Sequence, residues 1–179
     1  MFSLTKSRLS GKTLFLVFIF ILCSTSILAQ TTVPGGNISG TWTTANSPYL
    51  INGNITIHAD SSLSIEQGVE VIFQGLYSLQ VNGSLVAIGT EVDSISFCPS
   101  DTSVGWRGIR IDAGADSSRL SYATIDYGRN ADGGGIYCRT PNATITHCSV
   151  TNNYASTNGG GIYVNTGAAD PPVINNCII

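Results

Sequence analysis

From Tyr49 onward the chain alternates apolar and polar residues in short runs, each closed by Gly, Asn or Pro. Leu63-Ser64-Ile65, Val69-Glu70-Val71-Ile72-Phe73, Leu79-Gln80-Val81, Leu85-Val86-Ala87-Ile88 and Ile95-Ser96-Phe97 carry the period of two that turns one face of a strand inward. The pattern predicts many short strands.

Further along, the rhythm becomes a repeat. Gly133-Gly134-Gly135-Ile136-Tyr137 returns as Gly159-Gly160-Gly161-Ile162-Tyr163 after 26 residues. Ala143-Thr144-Ile145-Thr146-His147-Cys148-Ser149-Val150 resembles Pro172-Val173-Ile174-Asn175-Asn176-Cys177-Ile178-Ile179, with Ile145, Cys148 and Val150 matching Ile174, Cys177 and Ile179 at a spacing of 29. In weaker form, Trp106-Arg107-Gly108-Ile109-Arg110-Ile111 aligns with the glycine motif at 27, and Leu120-Ser121-Tyr122-Ala123-Thr124-Ile125 with the cysteine segment at 25.

A unit of 25 to 29 residues is too short for a four-stranded propeller blade and has no helical periodicity. It suits one coil of a β-solenoid, in which each strand pairs with its equivalent one turn away at about 4.8 Å. Aligned residues then stack into inward columns: Ile109, Ile136, Ile162; Ile111, Cys138, Val164; Leu120, Ile145, Ile174; Ala123, Cys148, Cys177; and Ile125, Val150, Ile179. Every member is apolar, as a stacked core requires. Asn52-Gly53 and Asn82-Gly83 are strong hairpin signals, so an antiparallel sandwich competes over the upstream stretch. In a solenoid the same pairs would be corners that accept φ > 0.

At the N-terminus, Lys6, Arg8 and Lys12 precede an apolar run from Leu14 to Cys23, and a small residue, Ala29, stands before Gln30. This is the pattern of a cleaved secretory signal. The run is shorter than the about 20 residues of a membrane span, and Leu22 is bulky where a lipid-modified Cys23 would need a small neighbour. The expected division is a signal peptide at 1–29, a linker and N-terminal cap at 30–48, and parallel coils at 49–179. The expected address is secreted or cell-surface, outer-membrane associated in a bacterial source, with no membrane span in the mature chain.

Loss of that segment removes both lysines and one arginine, leaving five arginines against all 11 acids and moving the net charge from −3 to −6. An acidic chain without lysine cannot neutralise a row of phosphates, which excludes nucleic acid as a partner. Charged residues make up only 11% of the chain. A stacked coil explains the deficit: like residues lie over like, and a charged column would repel itself. Cys98, Cys138, Cys148 and Cys177 remain, an even count that invites disulfides in an exported chain. Cys148 and Cys177 sit in one inward column, where they either bond across adjacent coils or pack as reduced apolar residues.

Taken with the segments Ser47-Pro48-Tyr49, Leu63 to Val69, Leu85 to Thr90, Ile95-Ser96-Phe97 and Trp106-Arg107-Gly108-Ile109, residues 40–179 resemble the secreted right-handed parallel β-helix repeat proteins of the pectate-lyase-like superfamily. The Gly-Gly-Gly-Ile-Tyr repeats are similar to those of polymorphic outer membrane proteins. The resemblance implies an all-β, right-handed parallel β-helix, export, and adhesion or glycan contact. Longer members of these families imply further coils, so the solenoid is expected to be truncated at its C-terminus. One activity is not implied, because the fold hosts lyases, hydrolases and non-catalytic surface proteins. The expected function is a non-catalytic surface module whose partners are polysaccharides or host and cell-surface glycans. The alternative is the N-terminal part of a polysaccharide lyase or glycoside hydrolase whose catalytic coils lie beyond residue 179.

Arg110, Tyr137 and Tyr163 occupy one outward column and are the candidate ligand-binding residues, since aromatic faces and a guanidinium suit sugar rings. A solvated ladder that stabilises the sheet is the plainer reading. The next outward column, Asp112, Arg139 and Asn165, predicts a surface ion pair. Lyases on this fold hold calcium with clustered carboxylates and use Arg or Lys as base, which would single out Asp112, Asp126 and Asp132 with Arg110 and Arg139. Asp126 and Asp132 are the nearest carboxylate pair for glycoside hydrolysis. No column repeats an acid, so no catalytic residue, metal or cofactor is expected, and calcium enters only with the lyase alternative. His58 and His147 stand alone and are read as structural. Asn152-Asn153 and Asn175-Asn176 are read as corner residues whose amides satisfy neighbouring coils.

Overall fold

The computed structural model describes residues 29–167 and 171–179; the expected signal segment lies outside them, except for Ala29. Each turn of the chain lays down three short strands. The first sheet stacks Thr31–Val33, Tyr49–Ile51, Glu70–Phe73, Ile95–Pro99, Ala123–Asp126 and Ser149–Thr151. The second stacks Gly36–Asn37, Ile55–Ile57, Leu79–Val81, Ile109–Ile111, Ile136–Cys138 and Ile162–Val164. The third stacks Gly40–Trp42, Ser62–Ile65, Ser84–Ile88, Arg119–Ser121, Thr144–Thr146 and Val173–Asn175. Neighbours in all three sheets pair in parallel, so the chain is a parallel β-solenoid, six strands deep. Among the described residues the one helical element is a 3-10 turn at Thr44–Asn46. None of their helices is long and apolar enough to cross a membrane.

The parallel register overturns the antiparallel sandwich. Ile55–Ile57 pairs with Leu79–Val81 one coil on, and Asn52-Gly53 and Asn82-Gly83 turn the chain from one sheet to the next. The reason for glycine there is also different from the expected one. Neither Gly53 nor Gly83 has a positive φ. A Cβ on Gly53 would lie 2.5 Å from the Pro34 carbonyl oxygen, and one on Gly83 would lie 2.2 Å from both the His58 and Ser61 carbonyl oxygens. Crowding between coils selects these glycines.

All five inward columns are present in register, with Ile109 over Ile136 over Ile162 and Leu120 over Ile145 over Ile174. They extend to earlier coils through Ile55 and Leu79 in the second sheet, and through Trp42, Ile65 and Ala87 in the third. The stretch 30–48 supplies the first strand of each sheet. At the centre, Trp106 is fully buried and stacks on Phe73 with ring centroids 4.1 Å apart and planes 19° from parallel. Phe97 lies 6.5 Å away on the same stack, and the Trp106 Nε1–H donates to the Asp126 carbonyl at 2.8 Å.

The glycine triplets mark an excursion from the coil. Arg129–Asp132 and Tyr154–Asn158 form a separate two-stranded parallel ladder between the first and second sheets. The chain re-enters the second sheet through Gly133 and Gly159, at φ of 61° and 59°. Gly134 lies where a Cβ would come within 2.4 Å of the Tyr154 carbonyl oxygen and 2.5 Å of that of Gly160. Asn153 secures the turn as the corner reading anticipated: its Oδ1 accepts the Gly128 N–H at 2.7 Å, and its Nδ2 donates to the Ile125 carbonyl at 2.8 Å.

Candidate functional site

Alternation along the second sheet sends Arg110, Tyr137 and Tyr163 outward, and the register stacks them in one column with Gln80 ahead of Arg110. Just past the strands lies a second column of Asn82, Asp112, Arg139 and Asn165. The two columns are stitched together. Gln80 donates to Asn82 Oδ1 at 3.0 Å and to Asp112. The Arg110 and Arg139 guanidiniums each stand 3.4 Å from Asp112 Oδ1, so the expected ion pair forms with a second arginine sharing the carboxylate. Asn165 Nδ2 donates to the Tyr137 hydroxyl at 3.1 Å.

The aromatic column is interlocked rather than open. Arg110 Cζ sits 4.2 Å from the Tyr137 ring centroid, and Tyr163 packs against that ring at 5.4 Å with a tilt of 53°. With a guanidinium from one coil and a ring from the other, Tyr137 is left 8% exposed. Arg110 and Tyr163, both part-exposed, hold the accessible surface, and Tyr137 is the post between them.

A second feature emerges at the corner leading into the first sheet. Tyr122, His147 and Asn176 occupy equivalent places in successive coils, all in the left-handed region at φ of 48°, 53° and 53°. The Tyr122 and His147 rings stack at 4.7 Å and 12°, and Asn176 Nδ2 lies 3.2 Å from His147 Nε2. This ladder walls an open groove of about 420 Å³ that is also lined by Glu91, Ser94 and Thr124. The alignment held the signal, since all three residues directly precede the column Ala123, Cys148, Cys177. Three different residue types hid the shared left-handed backbone.

The remaining carboxylates do not gather. Asp126 accepts the Thr151 hydroxyl, and Asp132 accepts Asn158 Nδ2 at 2.7 Å. Among the described residues no three His, Cys, Asp or Glu side chains are grouped to hold a metal ion. His58 is an exposed corner residue whose carbonyl accepts the Ser61 backbone N–H at 2.9 Å and crowds Gly83.

The four described cysteines are free thiols. Cys148 and Cys177 stack on adjacent coils, and their Sγ–H groups donate to the Thr146 and Asn175 carbonyls, each at 3.3 Å. Burial pushes the Cys148 thiol up from 9.0 to about 11, and it also raises Cys98 and Cys138. About a thousandth of Cys148 is therefore thiolate at pH 8. Iodoacetamide at that pH should leave Cys148 unmodified in the folded chain and label it fully in urea, as read by peptide mass spectrometry. Labelling at the rate of an ordinary thiol would contradict the burial. Because the folded pKa is the higher one, the stability from keeping this thiol neutral is complete below pH 9 and is lost as pH rises toward 11.

No family model matches this chain, nor does any curated protein or solved structure. The fold and these surface arrays are therefore what a functional reading rests on.

Proposed function

We propose that the chain is an exported, non-catalytic β-solenoid module that contacts polysaccharides or cell-surface glycans through the outer face of its second sheet. The observation that supports this reading is the pre-ordered network joining Gln80, Arg110, Tyr137 and Tyr163 to Asn82, Asp112, Arg139 and Asn165. Its side chains are planar, linked to one another, and fixed by in-register stacking. A sugar would meet them with little further ordering, which is where affinity is ordinarily lost. The Tyr163 ring offers an apolar face to sugar C–H groups, Arg110 offers N–H donors to hydroxyls, and Tyr137 holds the two in register.

Titration of the chain against an oligosaccharide array, followed by calorimetry on the strongest binder, tests this. Tyr163→Ala and Arg110→Ala should each weaken binding by about tenfold, the loss of one stacking or polar anchor. The melting temperature should stay close to that of the parent. Absence of any retained glycan, or variants that bind as tightly as the parent, would overturn the reading.

A further inference from the structure

Between the first and second sheets, four successive coils line a second open groove, of about 400 Å³, at the other end of the first-sheet strands from the Tyr122 ladder. Leu76, Val104, Arg107, Arg129, Ala131 and Tyr154 line it. Its apolar members are conspicuously solvent-facing: Leu76 is 45%, Val104 44% and Tyr154 60% exposed.

The two arginines are held in place yet uncompensated. Arg107 Nε donates to the Leu76 carbonyl at 3.2 Å, and an Arg129 terminal nitrogen donates to the Thr102 carbonyl at 3.3 Å. The ion pairs among the described residues both centre on Asp112, so neither Arg107 nor Arg129 is engaged in one. Each guanidinium keeps several N–H donors for a partner. Of the five arginines in 30–179, two thus flank one apolar groove in an otherwise acidic chain.

We propose that this groove docks a segment of a partner protein in which an acidic side chain stands beside an apolar one. The acidic group would pair with Arg107 and Arg129, and the apolar one would rest against Leu76, Val104 and the Tyr154 ring. Arginine and tyrosine around an apolar centre, with no lysine, is the composition of protein interfaces and their hot spots. A sugar fits less well. The Asn130 amide is already committed, with Nδ2 on the Arg107 carbonyl at 3.0 Å and Oδ1 receiving the Ala131 N–H at 2.9 Å. Beyond the two guanidiniums and Ser156, few polar groups are left for hydroxyls. The proposal is independent of glycan contact at the second sheet, because it uses none of that network's side chains.

Fluorescence anisotropy with a capped, fluorescein-labelled octapeptide of alternating glutamate and leucine tests it, beside serine–leucine and lysine–leucine counterparts. The glutamate peptide should bind at least about tenfold more tightly than either counterpart, as charge-assisted pairing requires. Arg107→Gln combined with Arg129→Gln should remove most of that preference. Tyr154→Ala, at a site too exposed to threaten folding, should weaken all binding by about tenfold. Equal affinity for the three peptides, or an unchanged preference in the double variant, would overturn the proposal. So would displacement of the peptide by a lower concentration of hyaluronan tetrasaccharide, which would assign the groove to acidic sugars.

Discussion

Trp106→Ala is expected to destabilise the solenoid by about 3–5 kcal/mol, the range for removing a large aromatic side chain from a packed core. The residue is fully buried, its ring lies against Phe73 at 4.1 Å and near Phe97 at 6.5 Å, and its N–H closes on the Asp126 carbonyl at 2.8 Å. Truncation forfeits the transfer of the ring from water, opens a cavity, and orphans that carbonyl. The surroundings cannot easily collapse into the space, because the flanking strands are held in parallel register on both sides. Urea titration of the parent and variant would show the midpoint falling sharply. Trp106→Phe separates the terms: it keeps a stacked ring and loses the N–H bond, so it should cost well under half as much. A loss below about 1 kcal/mol for the alanine variant would mean that the aromatic stack is not a keystone of the core.

The second large effect is expected from adding a single methyl group. Gly134→Ala would place its Cβ 2.4 and 2.5 Å from two backbone carbonyl oxygens, those of Tyr154 and Gly160. Backbone atoms in a stacked ladder cannot swing aside as a side-chain terminus can, so the coils must part locally. The expected cost is roughly 3 kcal/mol, at the upper end of ordinary overpacking. Gly114→Ala is the control. It sits at φ +98° with nothing within 4 Å of a Cβ, so it reports backbone strain without collision. A thermal melt of both variants should show Gly134→Ala falling several degrees further. Equal shifts would mean that conformation, and not crowding, sets the demand for glycine in the triplets.

These two positions show what could be read from the chain and what could not. Apolar columns such as Ile109, Ile136, Ile162 were legible because a parallel solenoid converts sequence spacing directly into spatial neighbours. The Arg110, Tyr137, Tyr163 column followed from the same arithmetic. Its covered central ring did not, since the fold of Arg110 over Tyr137 is a side-chain matter that alternation does not specify. The glycines of Asn52-Gly53 and Asn82-Gly83 were visible, but their cause was not, because a carbonyl 2.2–2.5 Å from an absent Cβ belongs to the coil alongside. The groove around Arg107, Arg129 and Tyr154 escaped for another reason. Leu76, Val104 and Arg107 occupy irregular loops, where columns cannot be counted, and the Arg129–Tyr154 pairing belongs to a side ladder that the apolar alternation does not announce.

The stacking of whole coils also has a mechanical side. Each coil is bonded only to the one above and the one below, so tension applied at the two ends of the chain loads an outermost coil first. When that coil peels away, the next becomes the end. Each release of about 25 residues pays out roughly 80–90 Å of extended chain while leaving the rest of the spool wound. The molecule would lengthen coil by coil under drag, as a thread drawn from a reel, in unequal steps that run from 18 residues between Thr31 and Tyr49 to 28 between Ile95 and Ala123.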